Sequence, residues 1–352
     1  MTQLLEILEP NASTEELRSV LEQLLSEHFK SDPRIVRIDR RPSQYHSSFP
    51  IEELDVEVDD GSILHLIFKN LSDEALLEEA RSAKPRLIRN PRREIEVYEH
   101  ILSLEALGTA KFYGAVTAEK TQTHWLFIEE APGLELYQIG ELSAWQEAAR
   151  WLARMHARFA SRVSELKSNA NLLNRDENFY QMWMLRAEEF ARFDSSPEQR
   201  LQVEKLVAGF DKAVERIMKL PRTFIHGEFF ASNVLVEDGA DRWRVCPVDW
   251  EMAGTGPALM DLAALVSGKW SADEKEAIAS AYYSAMAGSE TWQPTFAEFL
   301  NALDHCQLAL AVQWLGWSRD WIPPIEHRHD WLNEAMQLAD SLGLMKYRSV
   351  AD

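Results

Sequence analysis

The chain is 352 residues long and 46% hydrophobic, enough to bury a sizeable core and to divide into two lobes or domains. Its 57 acidic residues outnumber 37 basic ones, and the resulting net charge of −20 repels a phosphate backbone, which argues against nucleic acid as a partner. No run approaches the ~18 consecutive apolar residues of a membrane helix, the opening MTQLLEILEPNAS lacks a signal-peptide layout, and Cys246 and Cys306 stand apart in apolar stretches; a soluble cytoplasmic protein with no membrane contact and reduced thiols is expected.

In chain order, residues 13 to 29 read as a helix, with Ser13 and Glu16 as a capping box and Leu17, Val20, Leu21, Leu24, Leu25 and Phe29 as its apolar stripe. From Ile35 to Glu130 the pattern is strand-rich. Leu54, Val56 and Val58 alternate, Asp60-Gly61 supplies a hairpin turn, and a second strand runs from Ile63 to Lys69. A helix over 91 to 107 interrupts the strands, with Asn90 as its cap and Pro91 at its first position. Two strands, 112 to 117 and 123 to 130, complete a small sheet.

Pro132-Gly133 marks a break, after which the composition turns helical. Ser143 and Gln146 suggest a second capping box for a helix from 143 to 159, and further helices are expected at 175 to 193, 197 to 219, 271 to 287, 295 to 317 and 330 to 343. The layout is α+β: an N-terminal helical extension (1–34), a β-rich lobe (35–130) and a larger helical lobe (131–352).

One β-like interval in the helical half carries the chemistry. It reads T223-F-I-H-G-E-F-F-A-S-N-V-L-V and, after Asp238-Gly239, R244-V-C-P-V-D-W-E. Glu228, Asn233 and Asp249 are the set that phosphoryl transfer needs: a carboxylate to orient or deprotonate a hydroxyl, and oxygen ligands for magnesium. Asn233 opens one strand and Asp249 closes the next, so a hairpin turning near Asp238-Gly239 sets them side by side.

These residues resemble the aminoglycoside phosphotransferase family of the protein-kinase-like superfamily, whose signature is H-G-D-x-x-x-x-N followed by a strand ending in D-W-E or D-x-E. His226, Gly227, Asn233, Asp249, Trp250 and Glu251 match it, and Gly256-Pro257 with Asp261 is similar to the family's next segment. The resemblance implies a two-lobed protein-kinase-like fold, ATP and Mg2+ as cofactors, Asn233 and Asp249 as metal ligands, and His226 and Asp261 as braces of the loop. Glu228 stands where the family has aspartate, carrying its carboxylate one methylene farther out.

Further roles follow for the β-rich lobe. Lys69 is expected to bind the α- and β-phosphates, with Glu94 as its partner. Ile67, on the same strand face as Lys69, roofs the adenine, and the backbone of Glu129 and Ala131 faces its edge. No glycine-rich loop is present; R40-R-P-S-Q-Y-H-S-S48 takes its place, with Ser43, Ser47 and Ser48 as phosphate contacts and Arg40 or Arg41 as added charge.

His156 and His226 read as structural. The spacing of His305, Cys306, His327 and His329 fits no zinc pattern. Trp314, Trp317, Asp320 and Trp321 are the candidate acceptor side for a small hydroxylated or cationic molecule. Two alternatives stay open: a peptide serine or threonine as acceptor, and a nucleotide-binding scaffold with weak catalysis.

Overall fold

The computed structural model describes residues 12–30, 32–43, 45, 48–239, 243–286, 292–318, 320 and 329–345, and these form two compact units. The described residues up to 81 and from 110 to 131 make the first, those from 82 to 109 and from 132 onward the second.

The first unit is a helix on a sheet. Helix α1 (Thr14–Phe29) starts at Ser13, whose hydroxyl caps the Glu16 amide while the Glu16 carboxylate returns to the Ser13 amide. Strands β1 (Ile35–Pro42), β2 (Ile51–Val58), β3 (Ile63–Asn70), β4 (Phe112–Ala118) and β5 (Thr123–Glu129) form an antiparallel sheet ordered β1-β2-β3-β5-β4. The β2–β3 turn uses Gly61 at φ 85°, and the Asp60 carboxylate accepts the Ser62 amide at 2.8 Å. Leu17, Leu21 and Leu25 bury the helix stripe against Leu54, Val56, Leu66, Phe68 and Phe127. Strand alternation therefore puts Ile67 and Lys69 on the sheet's other face. Helix α2 (Glu78–Ala83) ends this part of the chain.

The second unit holds the short helix α3 (Arg93–His100), strand β6 (Leu134–Glu135), helix α4 (Leu142–Phe159), helix α5 (Val163–Asn169), strand β7 (Leu173–Asn174), helices α6 (Glu177–Asp194) and α7 (Pro197–Ile217), strands β8 (Arg222–Ile225), β9 (Val234–Asp238), β10 (Trp243–Pro247) and β11 (Gly254–Pro257), and helices α8 (Leu259–Leu265), α9 (Ala272–Ala285), α10 (Phe296–Trp317) and α11 (Trp331–Ser341). Two small sheets form, β10-β9-β6 and β7-β11-β8. Helix α10 is buried over most of its length from Leu303 onward and packs against α6, α7, α8 and α11.

Two helix starts differ from the sequence pattern. Helix α3 begins at Arg93 because the Asn90 side chain accepts the Arg92 amide in a local turn instead of capping a longer helix. Helix α4 begins with Glu141 as its N-cap, so Ser143 lies inside the first turn and makes no capping box. Among the described residues no helix is long and apolar enough to cross a membrane, and Cys246 and Cys306 are buried and free.

Candidate active site

Strand β8 delivers the loop that starts at His226. A carboxylate beneath it sets its shape: Asp261, near the start of α8, accepts the backbone amides of His226 at 2.7 Å and Gly227 at 2.8 Å, and the His156 Nε2–H at 3.2 Å. His156 Nδ1 in turn meets the Tyr282 hydroxyl at 2.8 Å. Burial alone would raise the Asp261 carboxyl, yet hydrogen bonds from His156 and Gly227 and the attraction of both histidines hold it below the usual carboxylate range. His226 accepts the Glu228 amide on Nδ1 at 3.3 Å and so carries its proton on Nε2, which donates to the Val248 carbonyl at 2.9 Å. Desolvation keeps this imidazole below its ordinary value.

Gly227 has φ 92°, and a Cβ there would collide with the Met252 carbonyl and crowd the Arg175 guanidinium at 2.8 Å. Arg175, 1% exposed, donates Nη2 to the Gly227 carbonyl at 2.5 Å and lies over the Phe179 ring.

The hairpin brings the next two residues together. Strands β9 and β10 pair Val234 with Pro247, and the Val248 amide donates to the Asn233 carbonyl at 2.9 Å. Asn233 Nδ2 donates to the Glu228 carbonyl at 3.0 Å, which leaves Oδ1 as the atom the side chain offers to a cation. Asp249 follows β10 in the left-handed region, φ 64° and ψ 65°, a conformation costing a non-glycine residue about 1 kcal/mol. Trp250, fully buried, stacks on Phe224 at 5.6 Å and packs on His226 at 4.4 Å, locking the D-W-E segment to the loop before Glu228.

The half-buried Glu228 carboxyl is pushed up to about 8 by desolvation and by the Glu251 and Asp249 carboxylates, against the opposing charges of Lys84 and Arg175. Oxygen donors of this kind suit a hard cation such as Mg2+, which takes one or two protein ligands and completes its shell with water and phosphate. The tighter cluster is elsewhere: among the described residues, Asp55, His65 and Glu130 place ligand atoms within 4.8 Å of one another. Arg41 already ion-pairs with Asp55 there, opposing a second cation.

The remaining expected residues scatter. Lys69 is buried on β3, paired with Ile51 and Leu126, and Ile67 is half-buried beside it. Glu94 is buried on α3 in the second unit, and its Oε1 accepts the Trp250 amide at 3.3 Å. The Glu129 amide donates to the Lys111 carbonyl at 2.8 Å, and Ala131 is half-buried at the end of the first unit. Ser43 Oγ accepts the Tyr45 amide; Ser48 is buried; Ser47 lies outside the described residues. Arg40 and Arg41 bind carboxylates, Arg40 in a two-pronged pair with Glu52.

On the acceptor side, Trp314 contacts Phe230, two residues past Glu228, at 5.4 Å and stacks on Trp331 at 5.5 Å. Trp317 is buried against Trp183 at 4.8 Å, Asp320 pairs with Arg186, and Trp321 lies outside the described residues. Sequence reasoning passed over Lys84, which ion-pairs with Glu251, and Arg175; neither stands in a recognisable spacing, and only tertiary contacts single them out.

Comparison with known proteins bears on the fold and the family. The microcompartment-associated aminopropanol kinase aligns over 92% of this chain and 94% of its own, with TM-score 0.56 and 14% identity. A choline kinase from Cryptosporidium parvum Iowa II covers 94% of each chain at TM-score 0.57 and 12% identity. The GDP complex of wild-type aminoglycoside 2'-phosphotransferase-IIIa covers 92% of this chain and 97% of its own, at TM-score 0.53 and 12% identity. At such identities the likeness establishes the fold, a two-lobed kinase-like α+β architecture. No curated protein matches the sequence. The model of the phosphotransferase enzyme family matches residues 71–300, well over half of the chain and all of the loop from His226 through Asp261. The chain belongs to the phosphotransferase enzyme family.

Proposed function

We propose that this enzyme moves the γ-phosphoryl group of ATP to a hydroxyl of a small molecule, with Mg2+ as the metal. The observation carrying the proposal is that hydrogen bonds tie Asn233 to the Glu228 carbonyl and to Val248, the residue before Asp249. Asn233 Oδ1 and the Asp249 carboxylate would hold the cation, which when bound neutralises phosphate charge and orients the phosphate oxygens.

Glu228 orients the acceptor hydroxyl and takes its proton as the oxygen attacks phosphorus. Its raised carboxyl suits that task, since a base works best with a pKa near the working pH. Lys69 takes the α- and β-phosphates and Glu94 steadies the site. Ile67 with the Glu129 and Ala131 backbone meets the adenine, and Ser43 meets phosphate. Trp314, set against Phe230, offers an aromatic wall to the acceptor. Family membership and the fold's likeness to kinases of aminopropanol, choline and aminoglycosides support a small acceptor over a peptide.

A screen with labelled ATP and Mg2+ against amino alcohols, aminoglycosides and sugars tests this reading. Label transfer to at least one compound, lost in Asp249→Ala, is expected. Transfer that survives Asp249→Ala would remove the metal site from the mechanism.

A further inference from the structure

The Glu251 and Asp249 carboxylates both act on Glu228 in the second unit, where an anionic phosphoryl group would meet repulsion. The side chain that opposes them is Lys84. Its Nζ pairs with Glu251 Oε1, and both side chains are largely covered, 13% and 14% exposed. Its charge also reaches Glu228, lowering that carboxyl against the pull of burial.

The position is built from the backbone outward. Arg186, on α6, donates to the Ala83 carbonyl at 3.1 Å and to the Gly316 carbonyl at 3.1 Å. Arg89 donates Nε and Nη2 to the Lys84 carbonyl at 2.9 and 2.6 Å. On the other partner, Arg93 Nη1 donates to the Glu251 carbonyl at 2.8 Å. The chain on both sides of the pair is thus fixed by guanidinium groups bonded to carbonyls, while the lysine tip is turned to the Glu251 carboxylate. An exposed pair would be worth little and need no such scaffold.

We propose that Lys84 is a further catalytic residue: its ammonium, aimed by Glu251, contacts the γ-phosphoryl group during transfer. This rests on the phosphotransferase reading of the same site. In the step, the acceptor oxygen forms a bond to the γ-phosphorus and its proton passes to Glu228. The bond from that phosphorus to the bridging oxygen breaks, and the electron pair leaves on ADP. Negative charge spread over the three equatorial oxygens is what a fixed cation stabilises, and Lys69, assigned to the α- and β-phosphates, leaves that task open.

The test needs no acceptor. Titration calorimetry on the full chain measures Mg·ADP binding with and without aluminium fluoride, whose planar complex mimics the phosphoryl group in flight. Wild type is expected to bind Mg·ADP more tightly with aluminium fluoride. Lys84→Met is expected to keep its Mg·ADP affinity while losing about 100-fold of that tightening, the scale of removing one transition-state donor. Lys84→Met/Glu251→Gln, which leaves no orphan charge to compromise folding, should lose the same amount, and Lys84→Arg should retain part of it. No tightening in wild type, or equal tightening in Lys84→Met, overturns the assignment of Lys84. Wild type that binds neither Mg·ADP nor Mg·ATP overturns the phosphotransferase reading itself.

Discussion

Asp261 holds the Gly227 amide at 2.8 Å, so a helix carboxylate 34 residues downstream shapes the loop before Glu228. The same carboxylate takes the His226 amide and His156, and hydrogen bonds to a charged group contribute about 1.5–3 kcal/mol each. Asp261→Asn keeps the shape but removes the charge, and it should cost about 3 kcal/mol in urea unfolding and lower activity sharply. Wild-type stability in this variant would show the network to be decorative.

Gly227→Ala should be harsher than its single methyl suggests. It places a Cβ against the Met252 carbonyl at a backbone φ of 92°. A loss of about 3 kcal/mol or more, or failure to accumulate as soluble protein, is the expected outcome. A soluble variant melting with wild type would mean the loop relaxes freely.

Glu228→Gln keeps the size of the side chain while removing the proposed base. Turnover should fall by at least ~100-fold, with ATP affinity within a few-fold of wild type. In wild type the rate should climb as the carboxyl loses its proton, at or below pH 8 since a bound cation lowers the value of about 8, and the climb should vanish in Glu228→Gln. Full turnover in the variant would exclude proton transfer to this residue.

Acid stability follows from two shifted groups. His226 lies below its ordinary 6.5 and Asp261 below 3.8, so in each case the unfolded chain binds protons that the folded one refuses. Stability should therefore fall as pH drops below about 6.5, and again below about 3.8. A melting temperature flat from pH 7 to 5 would contradict the His226 contribution.

Much of this was legible from residue patterns. The capping box at Ser13, the turn at Gly61 and the β9–β10 hairpin are local, and their residues announce them. The loop residues were legible because their spacing is fixed by the chemistry. Lys84 was not, since its partner is 167 positions away and a lysine before a proline has no distinguishing pattern. Nor was Trp317, whose indole looks the same in sequence as that of Trp314 yet packs inward against Trp183. The expected box at Ser143 failed because a serine inside a first turn and one that caps it share the same spacing from a glutamine.

Helix α3 carries a mechanical consequence. Arg93 is bonded to the carbonyls of Ile88, Asn171 and Glu251, Glu94 to the amide of Trp250, and Glu96 to both the amide and side chain of Asn171. All of these bonds leave from one short helix. Here it is riveted to the floor beneath the D-W-E segment, and rotating it outward would break those bonds together. Any displacement of this helix should therefore carry Trp250 and Glu251 with it, so that the two segments move as one piece.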